Sequence, residues 1–169
     1  GTLSKKIEKI TIENEKKEKA NIYLLPYIEP HNIKSLYPEA EVKTHNDAIH
    51  YYCKDMIASL DINETNILVA HGFFQYGSNE ADIEENSVGG SDLVDATIFS
   101  DFDYVALGHL HSARPIGCDK MRYSGSPLKY SIDEAKQQKS YTIIDIENKT
   151  IQISAKTISP LRDVRIIEG

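Results

Sequence analysis

The chain has 169 residues, of which 40% are hydrophobic and 27% are charged, and its net charge is −7 at pH 7. This length suffices for one globular domain that buries about two-thirds of its unfolded surface. The excess of acidic over basic residues argues against a broad basic face that binds nucleic acid through counterion release. Two cysteines are too few for a small secreted disulfide scaffold, and no apolar stretch is long enough to span a bilayer. We therefore expect a soluble, cytoplasmic protein without membrane contact.

The first part of the chain predicts a β-hairpin followed by an amphipathic helix. Apolar residues flank the charged stretch 13–19, which favours two strands joined by a polar tip, the second strand at 20–25. Thr44 can cap the first turn of the helix, and Asp47 can complete a capping box. Apolar residues at spacings of three and four then predict a helix face that covers a sheet; they are Ile49, Tyr52, Cys53, Met56 and Leu60.

Two apolar runs in the middle of the chain predict buried strands that end in histidines. His71 follows the run 67–70, and His109 and His111 follow the run 104–107. Because two buried strands end in the same residue type, we expect these side chains to share one site.

The remaining segments predict a long connection, a short helix and several antiparallel strands. The connection 73–90 is polar and rich in glycine, as in the wall of a binding site, and 93–99 predicts a short helix capped by Ser91. The predicted strands are 115–118, 121–124, 140–146 and 150–158, with turns at 119–120 and 147–149. Helical patterns early and antiparallel strands later favour a mixed α/β sandwich.

The histidine spacing indicates a metal site. His109 and His111 project to the same side if the backbone is extended, and Gly108 allows close approach because it has no Cβ. Imidazole is a borderline-soft ligand that suits Zn, Fe, Mn or Ni, and His71 supplies a third such group. Two alternatives remain open: the His-x-His pair is a chance surface pair, or His71 is a hydrogen-bonded structural residue.

Five segments match, in chain order, the motifs of a known family. They are LPY at 25–27, NILVAHGFF at 66–74, SVGG at 87–90, DFDYVALGHLH at 101–111 and RYSGSPLKYS at 122–131. These segments resemble the SbcD-type nuclease subunits of the calcineurin-like metallophosphoesterases. The resemblance implies an α/β fold, part of a two-sheet β-sandwich flanked by helices, that is incomplete at its N-terminal side. It also implies His71 and His109 as ligands of one metal ion and His111 as a ligand of another, usually manganese.

The family pattern contains further ligand elements that this sequence lacks: Asp-x-His, Gly-Asp and Asn-His-Asp. The family places them upstream, so we expect 1–159 to be the C-terminal part of the nuclease domain and 160–169 to begin the linker to a capping domain. Three neutral imidazoles cannot offset the repulsion between two close cations. We therefore expect two divalent metal ions only in the full-length protein, and one weakly bound ion or none, with no nuclease activity, in this chain alone.

A polar loop after the histidine motif is a candidate substrate-binding element. Its candidate contacts are Arg122, Tyr123, Ser124 and Ser126. The alternative is that the loop packs against the sandwich edge.

The resemblance implies part of a metal-dependent DNA exonuclease and endonuclease that acts in repair, recombination and replication. The implied partners are DNA, an SbcC-type ATPase subunit and a second copy of the full-length protein. Two other functions remain open: a non-catalytic interaction module, and a metallophosphoesterase that acts on small phosphate esters or nucleotides.

Overall fold

The computed structural model describes residues 3–77 and 92–167, which form a mixed α/β fold. The α-helices in these ranges are α1 (Pro30–Leu36) and α2 (His45–Ala58), and the 3₁₀ helices are Ala96–Phe99 and Ile132–Lys136. The strands are β1 (Glu8–Glu13), β2 (Lys19–Leu25), β3 (Thr65–His71), β4 (Phe73–Gln75), β5 (Leu93–Asp95), β6 (Tyr104–Gly108), β7 (Arg114–Ile116), β8 (Cys118–Tyr123), β9 (Ser140–Glu147) and β10 (Thr150–Thr157). Neither of the two described α-helices is long and apolar enough to cross a membrane.

A six-stranded sheet positions the two histidine-bearing strands side by side. Its order is β1-β2-β3-β6-β8-β7, with β2, β3, β6 and β8 parallel to one another and β1 and β7 antiparallel at the edges. The predicted first hairpin is confirmed as the β1–β2 pair, from Glu8 opposite Leu24 to Glu13 opposite Lys19. Because β3 and β6 are parallel neighbours, their carboxyl ends meet at one edge of the sheet.

The predicted amphipathic helix is confirmed as α2, which buries its apolar face in the core. Thr44 accepts a hydrogen bond from the Asp47 amide, and the Asp47 side chain accepts one from the Thr44 amide, so the capping box forms. Ile49 and Cys53 of α2 belong to the same buried cluster as Leu68 of the sheet. Burial raises the pKa of the Cys53 thiol to about 12, as expected for a thiol inside this core.

The face of the six-stranded sheet that does not pack against α2 is also apolar but is more exposed. Ile10, Ile22 and Ile67 lie in one register row, and Leu24 lies opposite Val69 in another. Ile10 is 43% exposed and Val69 is 41% exposed. Within the described ranges, this apolar face is therefore incompletely covered.

The predicted C-terminal hairpin is confirmed, and the structure shows that it forms a separate two-stranded sheet. The strands β9 and β10 pair antiparallel from Thr150 opposite Glu147 to Thr157 opposite Ser140. Asn148 and Lys149 both have positive φ, which is the geometry of a type I′ hairpin turn. Residues of β9 line a cavity together with residues of β1 and β2 at one end of the open face; they include Ile144, Ile146, Ile12 and Ala20.

Two local predictions are wrong. The segment predicted as a helix at 93–99 begins as strand β5, which pairs with β4, and continues as the 3₁₀ helix Ala96–Phe99, so tertiary pairing overrides the local helical preference. Asp95 caps this 3₁₀ helix through the Thr97 amide, whereas Ser91 lies outside the described residues. Most of the predicted connection 73–90 also lies outside them.

The turn predicted at 119–120 lies instead at Gly117. Residues 119 and 120 are inside β8, and Ile116 pairs with Cys118 across the turn. Gly117 has φ +63°, and an added Cβ would lie 2.0 Å from Cγ of Tyr76. Only glycine meets both constraints, so the turn position depends on a contact that is distant in sequence.

Candidate functional site

The structure brings two of the predicted histidines together at the carboxyl ends of β3 and β6. His71 is the last residue of β3 and lies opposite Gly108, and His109 follows directly. The centroids of the two imidazole rings are 5.5 Å apart, with the rings nearly perpendicular at 84°. In open α/β sheets, this edge of parallel strands is where ligands bind.

Gly108 allows the His71 ring to lie close to β6. An added Cβ at Gly108 would lie 3.0 Å from Nδ1 of His71. The amide of Gly72 also donates a hydrogen bond to the Gly108 carbonyl at 3.2 Å, which joins the two strand ends. The predicted close approach at this glycine is confirmed.

The backbone changes direction at His109. Strand β6 ends at Gly108, and His109 has φ +123°, a region that non-glycine residues rarely occupy. The expectation that His109 and His111 share one side of an extended strand is therefore wrong. Such a conformation costs on the order of 1–3 kcal/mol and persists only where the surroundings enforce it, most often at functional sites.

His111 occupies a different environment from His71 and His109, which form the strand-end pair. Its Nδ1 lies 3.0 Å from Oε1 of Glu134, and its ring lies beside Tyr130, with centroids 5.4 Å apart. The His111 side chain is 48% exposed, whereas that of Glu134 is only 6% exposed. One edge of the imidazole is thus bound to a buried carboxylate.

Glu134 is itself held by a buried lysine. Lys139 Nζ donates to Oε2 of Glu134 at 2.5 Å, and the Lys139 side chain is 4% exposed. Burial acts to raise the pKa of Glu134, but the hydrogen bonds from Lys139 and His111 and the charge of Lys139 outweigh it and lower this pKa to about 2. Glu134 is therefore a carboxylate at neutral pH.

The candidate ligands fit part of a metal site. His71 and His109 supply two neighbouring imidazoles, a donor type suited to Mn²⁺ or Zn²⁺. In the part of the chain that the structure describes, no three His, Cys, Asp or Glu side chains form a group that can hold a metal ion. The assignment of His71, His109 and His111 as metal ligands stays a prediction.

A cleft of about 750 Å³ adjoins His71, lined among others by Tyr27, Gly108 and Ser124. The Tyr27 hydroxyl is 3.2 Å from Nε2 of His45, whose Nδ1 is 3.3 Å from the Asp92 carboxylate. Burial and then the charge of Asp92 raise the pKa of Tyr27, so its hydroxyl keeps its proton. Nothing in the sequence pattern assigned His45 a function, because its partners are distant along the chain.

The loop predicted to contact substrate, residues 122–126, packs mainly against the backbone next to His71 and His111. The Tyr123 side chain is fully buried, and its hydroxyl accepts a hydrogen bond from the Phe74 amide at 2.6 Å, just beyond His71. Ser126 is also buried, and its amide donates to the His111 carbonyl. Tyr123 and Ser126 therefore position backbone, which favours the packing interpretation for these two residues. Arg122 is half-buried, and Ser124 is exposed on the cleft wall.

Sequence reasoning missed Glu134 and Lys139. They lie 23 and 28 residues beyond His111, in a segment whose charges look like those of an ordinary solvated surface. No spacing rule connects them to the histidine motif, and only their burial together identifies them.

Two staphylococcal proteins are similar to this chain. It is 32% identical over 148 residues to the SbcD subunit of nuclease SbcCD from Staphylococcus epidermidis, and 33% identical over 149 residues to the protein of the same name from Staphylococcus saprophyticus. The matches cover 87% and 88% of this chain but 40% of each relative, so the chain spans about two-fifths of their length. No protein-family model matches. The resemblance predicted from the motifs is thus confirmed: over nearly nine-tenths of its length, this chain is similar to the SbcD-type nuclease subunit.

Proposed function

We propose that this chain is part of a metal-dependent DNA nuclease subunit that hydrolyses phosphodiester bonds in DNA repair, recombination and replication. The observation that carries the proposal is the pairing of His71 with His109 at the ends of β3 and β6. Two imidazoles at this sheet edge suit a divalent cation, and the similar staphylococcal proteins are named as nucleases.

In this proposal His71 and His109 hold one divalent ion, and His111 holds a second, with manganese as the expected metal. A bound pair of such ions supplies a nucleophile from water and stabilises the leaving oxygen of a phosphodiester. The chain's own part is to present the imidazoles of these three histidines. The bridging carboxylate and the other ligands belong to a longer protein, so this chain alone is inactive.

The uncovered sheet face supports an incomplete two-sheet sandwich. The face with Ile10 and Val69 is apolar and exposed, and the β9–β10 hairpin lies at one end of it. A second sheet that covered this face would bury aliphatic side chains, at about 25 cal/mol per Å² of apolar area. We assign residues 1–159 to the nuclease domain and 160–169 to a linker toward a capping domain.

The proposed partners are DNA, an SbcC-type ATPase subunit and a second copy of the full-length protein, in the cytoplasm. Ser124 and Arg122 are the loop residues placed to approach substrate. Because the net charge is −7, most contacts with phosphate must come from other parts of the complex.

The test is Mn²⁺-dependent cleavage of linear double-stranded and single-stranded DNA. We expect activity from the full-length protein with its ATPase partner, and a loss of at least about 100-fold in its H71N and H109N variants. His50→Asn is the matched control, because His50 is exposed on α2. Wild-type rates in H109N would contradict the proposal. Cleavage by the 169-residue chain alone would contradict the expected inactivity of this part.

A non-catalytic interaction module is the second candidate, and the apolar sheet face favours it. Under this alternative, partner binding persists when all three histidines are replaced together, and it weakens when Val69 is replaced by Asp. Under the nuclease proposal, replacing the three histidines reduces DNA cleavage more than replacing Val69 by Asp does.

A further inference from the structure

A buried ion pair lies directly behind the exposed His111 ring. Glu134 and Lys139 are both nearly excluded from solvent, whereas charged side chains of these types are almost never fully buried unless they are paired. Isolated burial of either charge is costly, and a buried ion pair often contributes little net stability compared with apolar residues. Its presence in this position calls for a role besides stability.

The pair contacts both the ring and the backbone of His111. Glu134 Oε1 faces Nδ1 of His111 at 3.0 Å, and Lys139 Nζ donates to the His111 carbonyl oxygen at 2.9 Å. Lys139 also donates to Ser126 Oγ at 3.0 Å and to Gln137 Oε1 at 2.8 Å. These contacts constrain the backbone of His111 and the orientation of its imidazole together.

The carboxylate determines which ring nitrogen carries the proton. An ionised carboxylate can only accept hydrogen bonds, so the Nδ1 that faces Glu134 must be the donor. In the neutral imidazole, Nε2 then carries the free lone pair. Because Nδ1 is engaged by a buried group, Nε2 is the nitrogen available to a ligand.

We propose that Glu134 and Lys139 are positioning residues that hold His111 as the Nδ1–H tautomer, with Nε2 presented to a divalent cation. This inference rests on the proposed function for the identity of the cation, but not for the tautomer. Carboxylates that hydrogen-bond the second nitrogen of a histidine ligand fix the orientation and tautomer of the ring. Glu134 fills that position, and the contact of Lys139 Nζ with Oε2 leaves Oε1 of Glu134 facing the ring.

The test is nitrogen-15 NMR of the imidazole rings in the full 169-residue chain, at a pH where histidine is neutral and without metal. We expect His111 to show a protonated Nδ1 and an unprotonated Nε2 in the wild type. In E134A the major form should change to Nε2–H. E134Q should show the same change, because Lys139 can only donate and holds the single amide oxygen, so that the amide NH2 group faces Nδ1. His50, which lies on the exposed side of α2, is the internal control and should not change.

The inference is overturned if Nε2–H is the major form of His111 in the wild type. This measurement uses the wild-type chain alone, so it does not depend on whether a variant folds. Equal tautomer populations in the wild type and in a folded E134A chain also overturn it. Failure of the proposed function is distinguishable, because it would leave the His111 tautomer unchanged while the full-length protein shows no Mn²⁺-dependent cleavage.

Discussion

The two histidine environments of this protein are held by different kinds of interaction. His71 and His109 are positioned by backbone: parallel strand pairing, a glycine without a Cβ and an unusual φ at His109. His111 is positioned by side chains, through the buried Glu134–Lys139 pair. The motif G-H-x-H reads as one unit in the sequence, but its two histidines depend on different parts of the fold.

This difference predicts different sensitivities to substitution. A site held by the sheet tolerates surface changes but responds to anything that moves the strand ends. A site held by a buried charge pair is destabilised when either charge is removed, because the remaining charge is buried without an opposite charge. Three substitutions distinguish the two environments, and their expected effects on stability decrease from Lys139 to Tyr123 to Gly108.

Replacement of Lys139 by Met should produce the largest loss. The Glu134 carboxylate then remains buried beside His111 without its cation, and we expect the free energy of unfolding to fall by about 3–5 kcal/mol. Urea unfolding followed by circular dichroism measures this change. Lys136→Met is the matched control, because Lys136 is exposed in the same segment, and it should change stability by less than about 0.5 kcal/mol. Equal effects of the two replacements would show that the pair does not hold this region.

Tyr123→Phe should have an intermediate effect on the backbone-held site. The variant leaves the buried Phe74 amide without its acceptor, which costs about 1–3 kcal/mol. The same unfolding assay measures the loss, and hydrogen exchange at the Phe74 amide should become faster. Tyr141→Phe removes an exposed hydroxyl and serves as the control. Unchanged exchange at Phe74 would refute the role assigned to the Tyr123 hydroxyl.

Gly108→Ala should affect stability least while still disturbing the strand-end pair. The added Cβ lies 3.0 Å from His71 Nδ1, so the ring must move by a few tenths of an ångström. We expect a change of less than about 1 kcal/mol in unfolding free energy, together with weaker NMR contacts between the rings of His71 and His109. The His111 signals are the internal control and should stay in place. Shifts of equal size at both sites would contradict the separation of the two environments.

Local sequence patterns determined most of the secondary structure. The period of the apolar residues and the capping pair Thr44 and Asp47 were sufficient for α2, because these interactions lie within one helix. The two hairpins were predictable because each pairs strands that are adjacent in sequence, and the strands ending at His71 and Gly108 were predictable as separate apolar runs. The prediction failed at 93–99, where pairing of β5 with the distant β4 outweighs local preference.

The apolar runs alone predict histidines at the ends of two buried strands, with a glycine that permits close approach. The folded chain shows that the strands are neighbours, that the His71 ring lies beside that of His109, and that His111 contacts Glu134 and Lys139 instead. Strand ends follow from short-range patterns, whereas the direction of a side chain depends on one φ angle at His109 and on charges buried more than twenty residues away.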